Sequence, residues 1–93
     1  MSTTIDWSKT YHPEDVDEIK RPTDWGQRVT FSKCGRFVIS KEHTGYVWWN
    51  LYVESEYDEF RTYDGRSWKE VSVYETLWLA KKGAEELSKK ESN

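Results

Sequence analysis

Apolar side chains recur every second residue through the middle of this chain and every third or fourth residue near its end. Residues 28–32 alternate, with Val29 and Phe31 on one face. Lys33, Cys34 and Gly35 form a tight turn. Residues 36–41 alternate again, with Phe37 and Ile39 inward, and Gly45 closes a second turn. Residues 46–53 form the clearest strand. It places Val47, Trp49, Leu51 and Val53 on one face and Tyr46, Trp48, Asn50 and Tyr52 on the other. Three strands with such short links predict an antiparallel meander. Residues 54–58 read as an acidic turn and 59–63 as a fourth strand. Asp64-Gly65 is a type I′ hairpin signal, and 68–74, with Val71 and Val73 alternating, is a fifth strand.

At Thr76 the period changes. Thr76 is a good helix N-cap, and Leu77, Ala80, Ala84 and Leu87 form one stripe at helical spacing up to about Lys90. Gly83 weakens the helix centre by about 1 kcal/mol, and its missing side chain permits close packing on a sheet. The expected fold is α+β: three to five antiparallel strands packed against one C-terminal helix in two layers.

Residues 1–24 have sparse apolar positions, namely Ile5, Trp7, Tyr11, Val16 and Ile19. Within them residues 13–20 carry proline at a first helical position, acids in the first turn and lysine at the end, which predicts a short helix. The organisation expected is a loosely structured N-terminal arm over 1–24, which either wraps on the body or stays loose, and a single sheet-plus-helix domain over 25–91.

Composition sharpens this picture. The chain has 93 residues with six Trp and six Tyr, more than a small core needs. Leu, Ile, Val and Phe make up only 17 residues, but the net charge of −3 is small and aromatics are plentiful, which argues against full disorder. Residues 28–53 carry four bases and one acid, and residues 54–75 carry seven acids and three bases. No apolar run is long enough to span a bilayer, and residues 1–5 have no signal-peptide character. One cysteine cannot form an internal disulfide. Together these predict a cytoplasmic protein without membrane contact.

Catalytic chemistry is thinly supplied. His12 and His43 are the only histidines, and His43 reads most simply as an exposed turn residue. Cys34 sits between Lys33 and Arg36, a setting that favours a thiolate. A Cys34–His43 dyad is disfavoured because successive hairpin turns lie at opposite ends of a meander. No zinc spacing, calcium loop or glycine-rich phosphate loop is present. The expectation is a non-enzyme with no metal or cofactor.

Binding chemistry is better represented. Tyr and Trp are favoured interface anchors, and acids clustered on a surface speed encounter with a basic partner. Tyr46, Trp48, Tyr52, Glu56, Asp58 and Glu59 are therefore the candidate protein-binding residues. The plainer alternative is that Tyr46, Trp48 and Tyr52 form a second small core, completed by Trp7, Tyr11 and Trp25. A nucleic-acid reading uses Arg36, Lys41, Tyr46 and Trp48 as a cationic stacking platform. The low pI and the acids after residue 53 count against it. A third reading is a homodimer that buries exposed aromatics or a sheet edge between copies.

Residues 71–86 resemble the ending of many small phage and prophage proteins. There a last strand runs into a threonine-capped helix of the type Thr-Leu-x-x-Ala-Lys-x-x-Ala-Glu. Thr76, Leu77, Ala80, Lys81, Ala84 and Glu85 fit that type. Trp78 and Leu79 depart from it, being apolar where the pattern is polar, which implies either extra burial or a partner. The resemblance implies an accessory protein that binds and inhibits a host enzyme or defence system. The leading expectation is thus a non-enzymatic protein-binding module with an unidentified protein partner.

Overall fold

The structure, a computed structural model, describes residues 5–12, 28–43, 45–55, 60–61 and 66–91. Five strands, β1 (Arg28–Phe31), β2 (Phe37–His43), β3 (Val47–Glu54), β4 (Phe60–Arg61) and β5 (Ser67–Tyr74), precede one helix, α1 (Leu77–Glu91). The strands form one antiparallel sheet in the order β1-β2-β3-β5-β4. The α+β architecture expected from the periodicities is therefore the one observed. β1, β2 and β3 make the predicted meander. Gly35 and Gly45, in the two intervening turns, have φ values of 82° and 91°, which side chains with a Cβ rarely adopt. The predicted helix at 13–20 and the Asp64-Gly65 turn lie outside the described residues.

Cross-strand partners share a face of the sheet, so the register assigns the paired strand residues to faces. Ile39 lies opposite both Thr30 and Leu51, and Phe37 lies opposite Val53. This face receives α1. Phe37, Ile39 and Leu51 pack with Ala80 and Ala84, flanked by Trp49, Val53, Tyr74, Leu77 and Leu87. The stripe read from the sequence is the stripe that is buried. The small side chains of Ala80 and Ala84 let the helix sit close to the sheet. At Gly83 the approach is tightest, because a Cβ built there would overlap the Tyr74 ring. Thr76 caps the helix: the Leu79 N–H donates to Thr76 Oγ1 at 3.1 Å.

The opposite face carries a second core. Val38 lies opposite Phe31 and Tyr52, and it joins Val29, Tyr52 and Trp68 in a buried cluster against which Tyr11 and Phe31 pack. Ser40 and Asn50, also on this face, are buried too. β5 reaches this cluster through a bulge. Leu51 pairs with Ser72 but Tyr52 pairs with Glu70, which leaves Val71 as one extra residue.

Residues 5–12 of the arm are not loose. Their backbone runs along the outer edge of β1, with the Ser8 N–H donating to the Phe31 carbonyl and a reciprocal pair of bonds between Tyr11 and Val29. The Phe31 N–H donates in turn to Ser8 Oγ, and the Thr10 and Thr30 hydroxyls share a bond of 2.8 Å. Trp7 bridges to Ser32, whereas Tyr11 bridges to Val29. The five arm residues 7–11 thus lie against the four residues 29–32, and this one-residue offset sends the two aromatics to opposite faces. Trp7 enters the helix-side core beside Phe37, with Lys81 over its ring, and Tyr11 enters the second core.

Candidate interaction surface

The two ends of the sheet differ in character. At one end the β1–β2 turn is tightly bound. Ser32 Oγ accepts from the Phe37 N–H at 2.9 Å, and the Cys34 thiol donates to the same oxygen. Arg66 donates to the Gly35 carbonyl and pairs with Glu54, while its guanidinium lies 4.6 Å from the Trp68 ring centroid. Cys34 is exposed at this end. His43 is exposed at the far end of β2, roughly 20 Å away at about 3.3 Å per residue. The two do not meet. Among the described residues no group of three or more His, Cys, Asp or Glu side chains is placed to hold a metal, and no helix is long and apolar enough to cross a membrane.

The other end carries exposed apolar side chains. The Trp49–Tyr74 pairing brings the start of β3 beside the β5–α1 corner. Tyr46 is 81% exposed and Val47 is exposed next to it. In the first turn of the helix Trp78 is 63% exposed and Leu79 is also in solvent. Lys82 lies 4.7 Å from the Trp78 ring centroid and leaves most of the indole open. Trp78, one of the two residues that depart from the capped-helix pattern, therefore stays mostly in solvent, and Leu79 is partly covered. Along β5, Val71 and Val73 are exposed as well. Their alternation resembles that of a core-facing strand, but Val73 pairs with Asn50 on the face away from α1, and Val71 is the extra residue of the bulge. The useful signal for this surface was the pair Trp78-Leu79 interrupting an otherwise polar helix start.

The residues singled out from the sequence separate. Tyr46 is open and Trp48 is half-buried opposite Glu42. Tyr52 is a correction: it is 3% exposed, lies in the middle of the sheet between Val38 and Glu70, and belongs to the second core. It has no surface to offer a partner. The second-core alternative thus holds for Tyr52 and Tyr11, whereas Trp7 serves the helix side and Tyr46 stays in solvent. Trp25, Glu56, Asp58 and Glu59 lie outside the described residues. The four residues of the nucleic-acid reading do not share a platform. Lys41 lies over Trp49 and Arg36 over Phe37, both rings of the helix side, whereas Trp48 is on the opposite face. Compared with known proteins, the chain matches no family model, and no curated protein or solved structure shows significant similarity to it.

Proposed function

We propose that this chain is a non-enzymatic module that binds another protein through the open apolar corner built by Tyr46, Val47, Trp78 and Leu79. The observation that carries the reading is the exposure of Trp78, an indole left in solvent on the first turn of a helix whose other face is well packed. Burying such a side chain against a partner contributes roughly 1.5–3 kcal/mol, and Trp and Tyr are the residue types that most often dominate interfaces. The capped strand-to-helix ending supports a role of the phage accessory kind, in which a small protein inhibits a host enzyme or defence system by surface contact.

The test is immobilised capture from bacterial lysate with the wild type and with Tyr46→Ser and Trp78→Ser. Both positions are exposed, so circular dichroism and the unfolding midpoint should stay unchanged. A protein retained by the wild type and lost by both variants supports the reading. Equal retention by all three proteins removes the corner as the site. Saturable, salt-sensitive quenching of tryptophan fluorescence by DNA or RNA would instead favour nucleic acid.

A further inference from the structure

We propose that the outer edge of β1 is a strand-accepting groove for an extended segment of another protein, of the pattern Phe-x-x-Thr-Tyr, and that residues 5–12 of this chain hold the groove as a displaceable stand-in. The inference goes beyond the partner-binding corner and uses different residues.

The arm lies on β1 as an added strand lies on a sheet edge, a mode in which main-chain hydrogen bonds supply affinity and pockets for single side chains supply specificity. The Ser8 N–H donates to the Phe31 carbonyl, the Lys33 N–H donates to the Asp6 carbonyl, and Tyr11 and Val29 exchange a reciprocal pair, all at 2.8–2.9 Å. Two side chains anchor the segment. Trp7 sits beside Phe37 with ring centroids 6.5 Å apart, and Lys81 Nζ lies 6.0 Å from the Trp7 centroid. Tyr11 sits beside Phe31 against the second core. Between these anchors the Thr10 hydroxyl bonds to that of Thr30. The floor of the groove is buried but its occupant is not. Val29, Thr30, Ser32 and Phe37 are at most 4% exposed, whereas each of residues 5–12 is half-buried or exposed. A segment with so little burial of its own opens at a lower free energy than the core strands beneath it.

One flaw in the fit selects the occupant. The Trp7 indole nitrogen is buried with no hydrogen-bond partner among the described residues, a cost that a hydrocarbon ring does not carry. Phenylalanine at this position keeps an aromatic ring against Phe37 and near the Lys81 ammonium, and it removes the stranded N–H. The groove thus fits phenylalanine better than it fits the chain's own tryptophan. A second copy's arm carries the same flaw and lacks the covalent tether through residues 13–27, so it does not outcompete the arm already in place. A foreign segment with phenylalanine does. Three residues on, the Thr30 hydroxyl selects a hydroxyl. Four residues on, the cluster that receives Tyr11 selects a second aromatic ring.

The probe is a fluorescein-labelled peptide of residues 5–12, added to the full-length chain and followed by fluorescence anisotropy. The receptor with a weakened occupant is Trp7→Ser/Tyr11→Ser, its fold checked by circular dichroism. It should bind the peptide saturably. The wild type should bind about tenfold more weakly or less, because its own arm competes at the effective concentration that the tether sets. Within the peptide, Trp7→Phe should tighten binding about two- to tenfold by removing the unpaired N–H, and Trp7→Ala/Tyr11→Ala should abolish it. Three results overturn the proposal: no binding by the folded double variant, equal binding by variant and wild type, or a phenylalanine peptide weaker than the tryptophan one. If the double variant does not fold, hydrogen exchange of the wild type decides. The Ser8, Tyr11 and Val29 amides should exchange about a hundredfold faster than the slowest amides of β2 and β3, and equal protection overturns the proposal. Self-association of the wild type that Trp7→Ser/Tyr11→Ser removes would assign the groove to a second copy and overturn the choice of a foreign segment. None of these results bears on capture of a protein by the Tyr46–Trp78 corner.

Discussion

Replacing Gly83 with alanine should destabilise this protein, although the same change in an exposed helix would stabilise it. Alanine exceeds glycine in helix propensity by about 1 kcal/mol. Gly83 lies in the middle of α1, so that gain is available in principle. The built Cβ, however, falls inside contact distance of the Tyr74 hydroxyl and Cζ and 3.1 Å from Cε1. The ring tip would have to move by about 1 Å while its body stays packed against the helix-side core. Overpacking of this kind costs about 1–3 kcal/mol, so the net effect of Gly83→Ala is a loss of about 0–2 kcal/mol. The sign should reverse when the ring is absent. In a Tyr74→Leu background the added methyl has room, and Gly83→Ala should then stabilise by about 1 kcal/mol. The coupling between the two sites is therefore about 1–3 kcal/mol, above the few tenths expected for independent positions. Urea unfolding followed by far-ultraviolet circular dichroism reads all four proteins. At an m of about 1–2 kcal/mol/M, each kcal/mol moves the midpoint by about 0.5–1 M. If Gly83→Ala stabilises the wild type, or the coupling is zero, the tight approach of α1 to Tyr74 is not what the glycine serves.

Three further outcomes follow from single contacts. Ser40 is fully buried, and its hydroxyl has no hydrogen-bond partner among the described residues. Ser40→Ala should therefore stabilise by about 1 kcal/mol, since an unsatisfied buried polar group costs about 1–3 kcal/mol; a loss of stability in the same urea assay would show that the hydroxyl is satisfied. Thr76→Ala removes the cap on the Leu79 N–H and should cost about 1 kcal/mol, whereas Thr76→Ser should cost little. Trp7→Ala should cost about 2 kcal/mol, less than the 3–5 kcal/mol of a fully buried tryptophan, and should speed hydrogen exchange at the Ser8 and Tyr11 amides; unchanged exchange would mean the backbone bonds hold the arm without its anchor.

Period was the legible part of this fold. Two-residue alternation placed β1, β2, β3 and β5 to within about two residues, and the Leu77, Ala80, Ala84 and Leu87 stripe placed α1 and its buried side. Alternation alone does not say which face of a sheet a helix covers, nor whether the other face is wet. Val29 and Phe31 read as one face and Phe37 and Ile39 as another, yet only the register shows that these belong to two separate cores. For the same reason Tyr52 resembled Tyr46 on paper. Both have the parity of Trp48, but Tyr52 sits at the centre of the sheet and Tyr46 beyond the strand end, and position along the strand decides their exposure. The arm was harder still. Its bonding to β1 depends on Ser8 and Thr10, polar residues without a periodic signature.

A sheet with one helix has one face too many, and the way this chain handles that surplus accounts for its aromatic excess. The four-residue helix stripe satisfies one side. The other side needs large side chains from whatever is at hand, and Tyr52 and Trp68 meet that need from the sheet while Tyr11 meets it from the arm. The one-residue offset between arm and β1 is what lets a short segment serve both cores, with Trp7 directed to the helix side and Tyr11 to the other. A regular strand would place residues 7 and 11 on the same face and leave one core short. Once Trp7, Tyr11, Trp49, Tyr52, Trp68 and Tyr74 are assigned to packing, the most exposed described aromatics are Tyr46 and Trp78, at one end of the molecule. Packing explains the first group completely and the second not at all, and that remainder is why the functional reading rests on the corner and not on the aromatic count.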